Sequence, residues 1–279
     1  MRKLFISADM EGCAAVSGTQ ALLPERWAWE WAAARRWMTQ EVGATAEAAF
    51  AAGYEEVIAA DGHGNAHNID PEGLPENVRL VRSWPRPLLQ MQGIDDPDVQ
   101  ACAFVGYHAG PTSPSSVLAH SYSGAAYRWL RLNGALCSEG YLNAALAGEF
   151  GKPVVFISGD EQTVEDAQRY APEALGFVSK HAFGWRAQMS LPPAQVARLL
   201  REAATRALQR PRPKPFVVPG PFCLELEMTS QTAAEMLAYL PGVERRGAYG
   251  VTVTFERIAA VMRFVSFAMH YAPNGVIAI

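Results

Sequence analysis

The chain has 279 residues, 49% of them hydrophobic, which is enough for one large domain or a domain with a smaller lobe. Its 24 basic residues against 28 acidic ones leave a net charge of −4, so nothing marks it for nucleic acid. The opening "MRKLFISADMEG" meets acids after a short apolar run, unlike a signal peptide. No later run approaches membrane-spanning length, and a soluble cytoplasmic protein is expected.

In chain order, the strand-like "LFISA" is followed by "ERWAWEWAAARRWMTQEVGATAEAAFAAG", rich in helix formers and ending at Gly53, a helix stop. Three β-like runs come next: "EEVIAADGHG" breaks at Gly62, "ACAFVGYHAG" at Gly106 and "KPVVFISGDE" at Gly159. Between the last two, "AYRWLRLNGALC" reads as a hairpin turning at Asn133 and Gly134, and "SEGYLNAALAGEFG" as a helix capped by Ser138. The helix-like "EQTVEDAQRYA" follows the third run, and "SLPPAQVARLLREAATRALQR" is a further amphipathic helix. Alternation of this kind predicts an α/β fold, a mostly parallel sheet with helices on both faces. The extended "PRPKP" suggests a boundary, giving a catalytic α/β domain over 1–210 and a smaller α+β lobe over 211–279 that reads as strand, helix, two strands and helix. The four cysteines form no CxxC pair and are expected to be reduced core residues, with neither a disulfide framework nor a thiolate zinc site.

In an open parallel sheet, ligands gather where loops leave the carboxyl ends of the strands. Asp9 and Glu11 follow the first strand, His63 the second and His108 the third, while Glu139 opens the helix after the hairpin. Residues two apart in extended backbone point to one side, so Asp9 and Glu11 can face one site. Two such carboxylates repel unless a proton or cation joins them. A set of imidazoles and carboxylates without sulfur suits catalytic zinc, with manganese or cobalt as alternatives. Five ligands exceed what one tetrahedral zinc uses, which points to a two-metal centre.

Each of these residues also has an ordinary reading: a helix cap for Asp9, a solvated loop acid for Glu11, a hydrogen-bonded histidine for His63 or His108. Their joint placement at strand ends favours the metal site. His67, His181 and His270 lie away from clear strand ends and read as structural. His120 lies in "AGPTSPSSVLAHSYSGA", a long loop without regular pattern, where a histidine can transfer protons near neutral pH or simply sit in solvent. No GxSxG, GxGxxG or P-loop occurs, so neither a serine triad nor a nucleotide site has support.

The blocks "SADMEG", "DGH", "GYHA", "LAHS", "SEGYLN" and "SGDE" occur in the order and spacing of the zinc-dependent D-aminopeptidase (DppA) family, and the resemblance extends to "LPGVERRGAYGVTVTF". It implies two zinc ions per chain, with Asp9 bridging them, Glu11, His63, His108 and Glu139 as the other ligands, and His120 as the catalytic histidine. It also implies release of the N-terminal residue, a D-amino acid, from short peptides, and a homodecamer of stacked rings. Two departures stand out. "SEGYLN" displaces the usual glycine between the ligand Glu139 and Asn143, and Gly62 stands where a small hydroxyl residue is common, which would remove a hydrogen bond near the site. Asn143 reads either as a group that orients a ligand or touches substrate, or as a capping residue. A dinuclear phosphoesterase and a non-catalytic metal or peptide binder remain alternatives; the first would want cations for phosphate, and the second has no need of His120.

Overall fold

The computed structural model describes residues 1–19, 21–22 and 28–271. Its first strand, β1 (Lys3–Ala8), sends Leu4 and Ile6 into one apolar layer and Phe5 into the other, as the two-residue period of a strand requires. Helix α1 (Ala28–Ala51) follows, and the chain leaves it through Gly53 at φ +84°, a conformation that costs glycine little. The expected beginning of this helix at Glu25–Trp27 lies outside the described residues.

Strands β2 (Glu56–Asp61), β3 (Val78–Val81) and β4 (Val99–Tyr107) come next, then the hairpin β5 (Tyr127–Leu132) and β6 (Ala135–Cys137) and helix α2 (Glu139–Glu149). They are followed by β7 (Val154–Asp160), α3 (Glu161–Asp166), β8 (Leu175–Gly184), β9 (Ala187–Met189) and α4 (Pro193–Gln209). The last elements are β10 (Phe222–Met228), α5 (Gln231–Leu237), β11 (Glu244–Arg246), β12 (Gly250–Phe255) and α6 (Ile258–His270). Seven strands form one sheet in the order β3-β2-β1-β4-β7-β8-β9, parallel except for the β8–β9 pair. Its register sets Ala8 of β1 opposite Asp61 of β2 and Val105 of β4, so three carboxyl ends finish almost level. That edge carries the loops bearing Asp9, Glu11, His63 and His108.

The second sheet is antiparallel, in the order β11-β12-β10-β5-β6. Asn133 and Gly134 turn its β5–β6 hairpin with φ +50° and +80°, the paired left-handed geometry of a two-residue loop. The hairpin lies upstream of residue 211 yet pairs through β5 with β10, so this sheet draws on both sides of the "PRPKP" connector. Leu142 and Leu146 of α2 join Phe104 of the first sheet, Leu130 and Leu224 of the second and Met262 of α6 in one apolar cluster. On the other face of the first sheet, Met38, Val42 and Ala46 of α1 pack with Leu200, Ala203 and Ala204 of α4.

Strands β3, β8 and β9 have no strong counterpart in the sequence pattern. β3 has four residues and edges the sheet, while β8 and β9 are largely exposed, so none needs a continuous apolar run. Cys13, Cys102 and Cys137 are buried free thiols, whereas Cys223 is half-buried rather than in the core. Among the described residues, no helix is long and apolar enough to cross a membrane.

Candidate metal centre

The loop after β1 is held from two sides, by β4 and by β8. Gly12 N–H donates to the Gly106 carbonyl at 2.8 Å, and a Cβ on Gly12 would lie 1.9 Å from the Tyr107 carbonyl oxygen, so only glycine allows this approach to the end of β4. From β8, Ser179 Oγ donates to the Gly12 carbonyl at 2.5 Å. The buried Lys180 directs Nζ to the carbonyls of Glu11, Cys13 (3.0 Å) and Val16 (2.5 Å). Asp9 and Glu11 are therefore set by contacts to the main chain of their loop from the end of β4 and from side chains of β8.

The loop after β2 is fixed by the buried Asp61, whose carboxylate accepts from Asn68 N at 2.6 Å, Ile69 N at 2.8 Å and Asn68 Nδ2 at 3.0 Å. Asn68 Nδ2 also donates to the His63 carbonyl at 2.7 Å. Gly62 has no room for a side chain: a Cβ there would meet the Ala8 carbonyl oxygen at 2.8 Å and Gln90 Cβ at 2.9 Å. The hydroxyl expected at this position is excluded by close packing.

Glu139 is the first residue of α2, capped by Ser138, whose Oγ accepts from Tyr141 N at 3.2 Å. Its Oε1 accepts from Tyr122 N at 2.6 Å and its Oε2 from Gln90 Nε2. Gln90 Oε1 in turn accepts from Asn143 Nδ2 at 2.5 Å and Tyr107 OH at 2.9 Å. Asn143 thus reaches Glu139 through Gln90. Sequence reading did not single out Gln90; it sits in a short 3-10 turn with no motif around it, and no local signal points to it.

These loops bring Asp9, Glu11, His63, His108, His120 and Glu139 into one cluster, with overlapping groups of potential ligand atoms within 4.8 Å of each other. Asp9 spans it: Oδ1 lies 3.5 Å from His63 Nδ1 and Oδ2 lies 3.6 Å from His108 Nε2. Glu11 Oε2 is 2.9 Å from His63 Nδ1, and Glu139 Oε1 is 3.1 Å from His108 Nε2. His120 Nε2 stands at the rim, 3.8 Å from Glu139 Oε1, with a quarter of its side chain exposed while the other five are almost fully buried. His67 and His181 are exposed and His270 is half-buried beside Trp84, all outside the cluster.

The histidine tautomers follow from the outer contacts. His63 Nε2 meets the Leu22 carbonyl at 3.2 Å, His108 Nδ1 the Ala109 carbonyl at 2.9 Å and His120 Nδ1 the Leu118 carbonyl at 2.8 Å. A carbonyl only accepts, so each outer nitrogen carries a proton, which leaves the inner nitrogen as the atom that can give a lone pair to a metal ion. Lone pairs facing carboxylates are unfavourable unless a cation, or a second proton on the ring, lies between them. His108 Nε2 is buried there without a hydrogen bond.

Charge tells the same story. Burial and then the neighbouring Glu11 push Asp9 up to about 8. Burial alone would lower His108 and His63, but Glu139 acting on the first and Glu11 on the second outweigh it, carrying His108 up to about 10 and His63 well above its ordinary value. For Glu11 and Glu139 burial is outweighed in the opposite sense, by His63 and His108 respectively, and both are lowered. His120 is lowered, by the protein packed round its ring and then by His108. The protein alone meets this excess of inward acceptors with protons, and divalent cations would meet it better. Donor set and orphaned nitrogen both fit zinc. A cleft of about 580 Å³ opens nearby between Gly110, Ser138 and Glu165, but none of the six side chains lines it.

A family model described as D-aminopeptidase matches residues 1–267. A D-aminopeptidase of Bacillus subtilis (strain 168) is 30% identical over 243 residues, covering 87% of each chain. The solved structure of Zn-dependent D-aminopeptidase DppA from Bacillus subtilis, described as a self-compartmentalizing protease, superposes with a TM-score of 0.89 at 28% identity, covering 97% of this chain and 99% of that one.

Proposed function

The chain belongs to the D-aminopeptidase family, and from that premise we propose that it is a zinc-dependent aminopeptidase of the cytoplasm that removes the N-terminal residue, a D-amino acid, from short peptides. Two zinc ions per chain would be held by Asp9, Glu11, His63, His108 and Glu139, with Asp9 between them. The observation that carries this reading is the pair of inward imidazole nitrogens, each beside a different oxygen of Asp9. Three buried free thiols fit a reducing compartment. Likeness to a self-compartmentalizing protease supports a closed homo-oligomer, in which we place ten copies as stacked rings.

Bound zinc supplies Lewis acidity, acidifying water and polarising a carbonyl. The chain's own part is positional and protic. His120 keeps its Nδ1 proton on the Leu118 carbonyl and offers Nε2 at the solvent-facing rim, where it accepts a proton from the attacking water and returns it to the leaving amine. The network through Gln90 and Tyr122 N holds Glu139 against His108, and Lys180 with Ser179 holds the strand-end loop that carries Glu11. A phosphoesterase would want a free cation for phosphate, yet Lys180 is committed to three carbonyls.

The test is a panel of D- and L-amino-acid amides and short peptides, free and N-acetylated, offered to zinc-loaded protein with and without chelator. Cleavage of free D-amides, lost on chelation and on acetylation, is expected. Equal cleavage of acetylated substrates, or activity that survives complete metal removal, would overturn the proposal.

A further inference from the structure

The β8–β9 hairpin ends the seven-stranded sheet, and β9 is its outermost strand. Register pairs His181 with Met189. The paired His181 and Met189 share one face; the register shifts between Ala182 and Gly184, so Phe183 sits at that irregularity, and Leu191 follows two residues after the end of β9. The apolar side chains of this edge are turned to solvent: Phe183 is 71% exposed, Met189 56% and Leu191, just past β9, 48%, with Trp185 46% exposed at the turn. Isolated surface apolar residues are ordinary, but four on one short edge hairpin form a patch of the kind that marks an interaction surface.

The hairpin is also tied to the loop that carries His120. Leu118 N–H donates to the Trp185 carbonyl at 2.9 Å, and Trp185 Nε1 donates to the Ala119 carbonyl at 3.3 Å. The Leu118 carbonyl is the same group that receives His120 Nδ1. A chain of direct contacts therefore runs from an exposed apolar turn to the rim of the metal cluster in a few residues.

We propose that a second copy of this chain seats on the outward face of the β8–β9 hairpin, and that this contact holds the His120 loop in its working position. This rests on the homo-oligomeric reading above and adds the surface that such an assembly uses. A copy of the chain is the occupant that a self-compartmentalizing architecture supplies. The patch is apolar and carries no row of charges that would select an ionic partner. Burying Phe183, Met189 and Leu191 would favour association by the ordinary hydrophobic term, while covering Trp185 would keep its hydrogen bond to the Ala119 carbonyl from exchanging with water.

The experiment compares the wild type with Phe183→Ser/Met189→Ser and, separately, with Trp185→Phe. Mass by light scattering, zinc per chain, far-UV circular dichroism, kcat and KM are measured for each. The double variant is expected to elute as a much smaller species with unchanged zinc content and secondary structure, and with kcat lowered at least tenfold. Trp185→Phe keeps a smaller apolar ring at the turn and removes the indole N–H, so its mass should be unchanged while kcat falls severalfold and KM holds. Unchanged mass in a folded double variant would overturn the interface, as would a rise in KM alone, which would mark the face as a substrate platform. A small species with full kcat per site would overturn the link to His120. If the double variant fails to fold, Phe183→Lys alone decides the interface by the same readouts. A wild type that assembles but cleaves no D-amino-acid amide would overturn the enzymatic reading, and mass would still decide the surface. A monomeric wild type would overturn the assembly and this proposal together.

Discussion

The imidazole rings of His108 and His120 stack with centroids 4.2 Å apart and planes within 13° of parallel. The two rings differ in what their inner nitrogens face. His108 Nε2 lies against Glu139 and Asp9 deep in the cluster, whereas His120 Nε2 stands 3.8 Å from Glu139 at the exposed rim, and its ring lies within 4.8 Å of Glu11 and His108 as a potential ligand group. His120→Ala is therefore expected to keep its zinc while kcat falls by roughly 10²–10⁴, the usual share of general acid–base catalysis. KM should move less, because a group that acts in the transition state need not hold the ground state. Metal stoichiometry and turnover measured on the same preparations check this; loss of an ion would make His120 a ligand instead.

Asp9 and Glu11 should differ as ligands although they are two residues apart. Asp9 faces both His63 and His108, and Glu11 pairs most closely with His63. Asp9→Asn is expected to weaken both ions and Glu11→Gln mainly one. Stepwise chelator competition followed by metal analysis distinguishes one weakened ion from two.

Lys180 holds the carbonyls of Glu11, Cys13 and Val16 from beneath the loop. Lys180→Met keeps an unbranched apolar stem one atom shorter and removes all three donors. Buried acceptors left unpaired cost about 1–3 kcal/mol each, so the variant should lose several kcal/mol of stability and bind zinc more weakly. Arginine should not rescue it, since its planar fork is the wrong shape for three converging carbonyls. Thermal unfolding of the metal-free protein and zinc titration together measure the two effects; a variant with wild-type zinc affinity would reduce Lys180 to a packing role.

Glu41 adds a pH signature that overlaps that of Asp9, whose carboxyl is likewise raised, and a variant at Glu41 isolates its share. Its Oε1 accepts from Ala14 N at 2.8 Å, its Oε2 is buried without a partner, and burial pushes the carboxyl up to about 7. A folded-state value above the unfolded one means that the native chain binds the proton more tightly. Stability from Glu41 is therefore present below its ordinary value near 4.5 and is lost as pH rises through about 7. The full change is about 3 kcal/mol. Lys180, lowered to about 8 by burial, changes stability between that value and its ordinary 10.5, above this window. Glu41→Gln should flatten the fall in urea midpoint between pH 5 and 7 relative to wild type. A fall equally steep in the variant would assign it to other groups.

The sequence by itself determined the alternation of strands and helices, the Asn133–Gly134 turn, the Ser138 cap and the placement of Asp9, Glu11, His63, His108 and Glu139 near strand ends or a helix start. Each of these is written in local terms: apolar period, turn residues, a capping hydroxyl, spacing from a strand. What remained hidden was set by contacts distant in sequence. Gln90 reaches Glu139 across 49 positions and Lys180 reaches Glu11 across 169, with no motif to announce either. Gly62 read as a missing hydroxyl until the Ala8 carbonyl and Gln90 closed on it. The three histidine tautomers depend on which carbonyl each outer nitrogen finds, and Leu22, Ala109 and Leu118 have no sequence signal for that role. The β5–β6 hairpin was legible as a hairpin, but its partner β10 lies some ninety residues on, beyond the reach of local pattern. Local chemistry chose the elements and the ligand types; only tertiary packing aimed the imidazole nitrogens inward, because orientation depends on neighbours that the chain brings together when it folds.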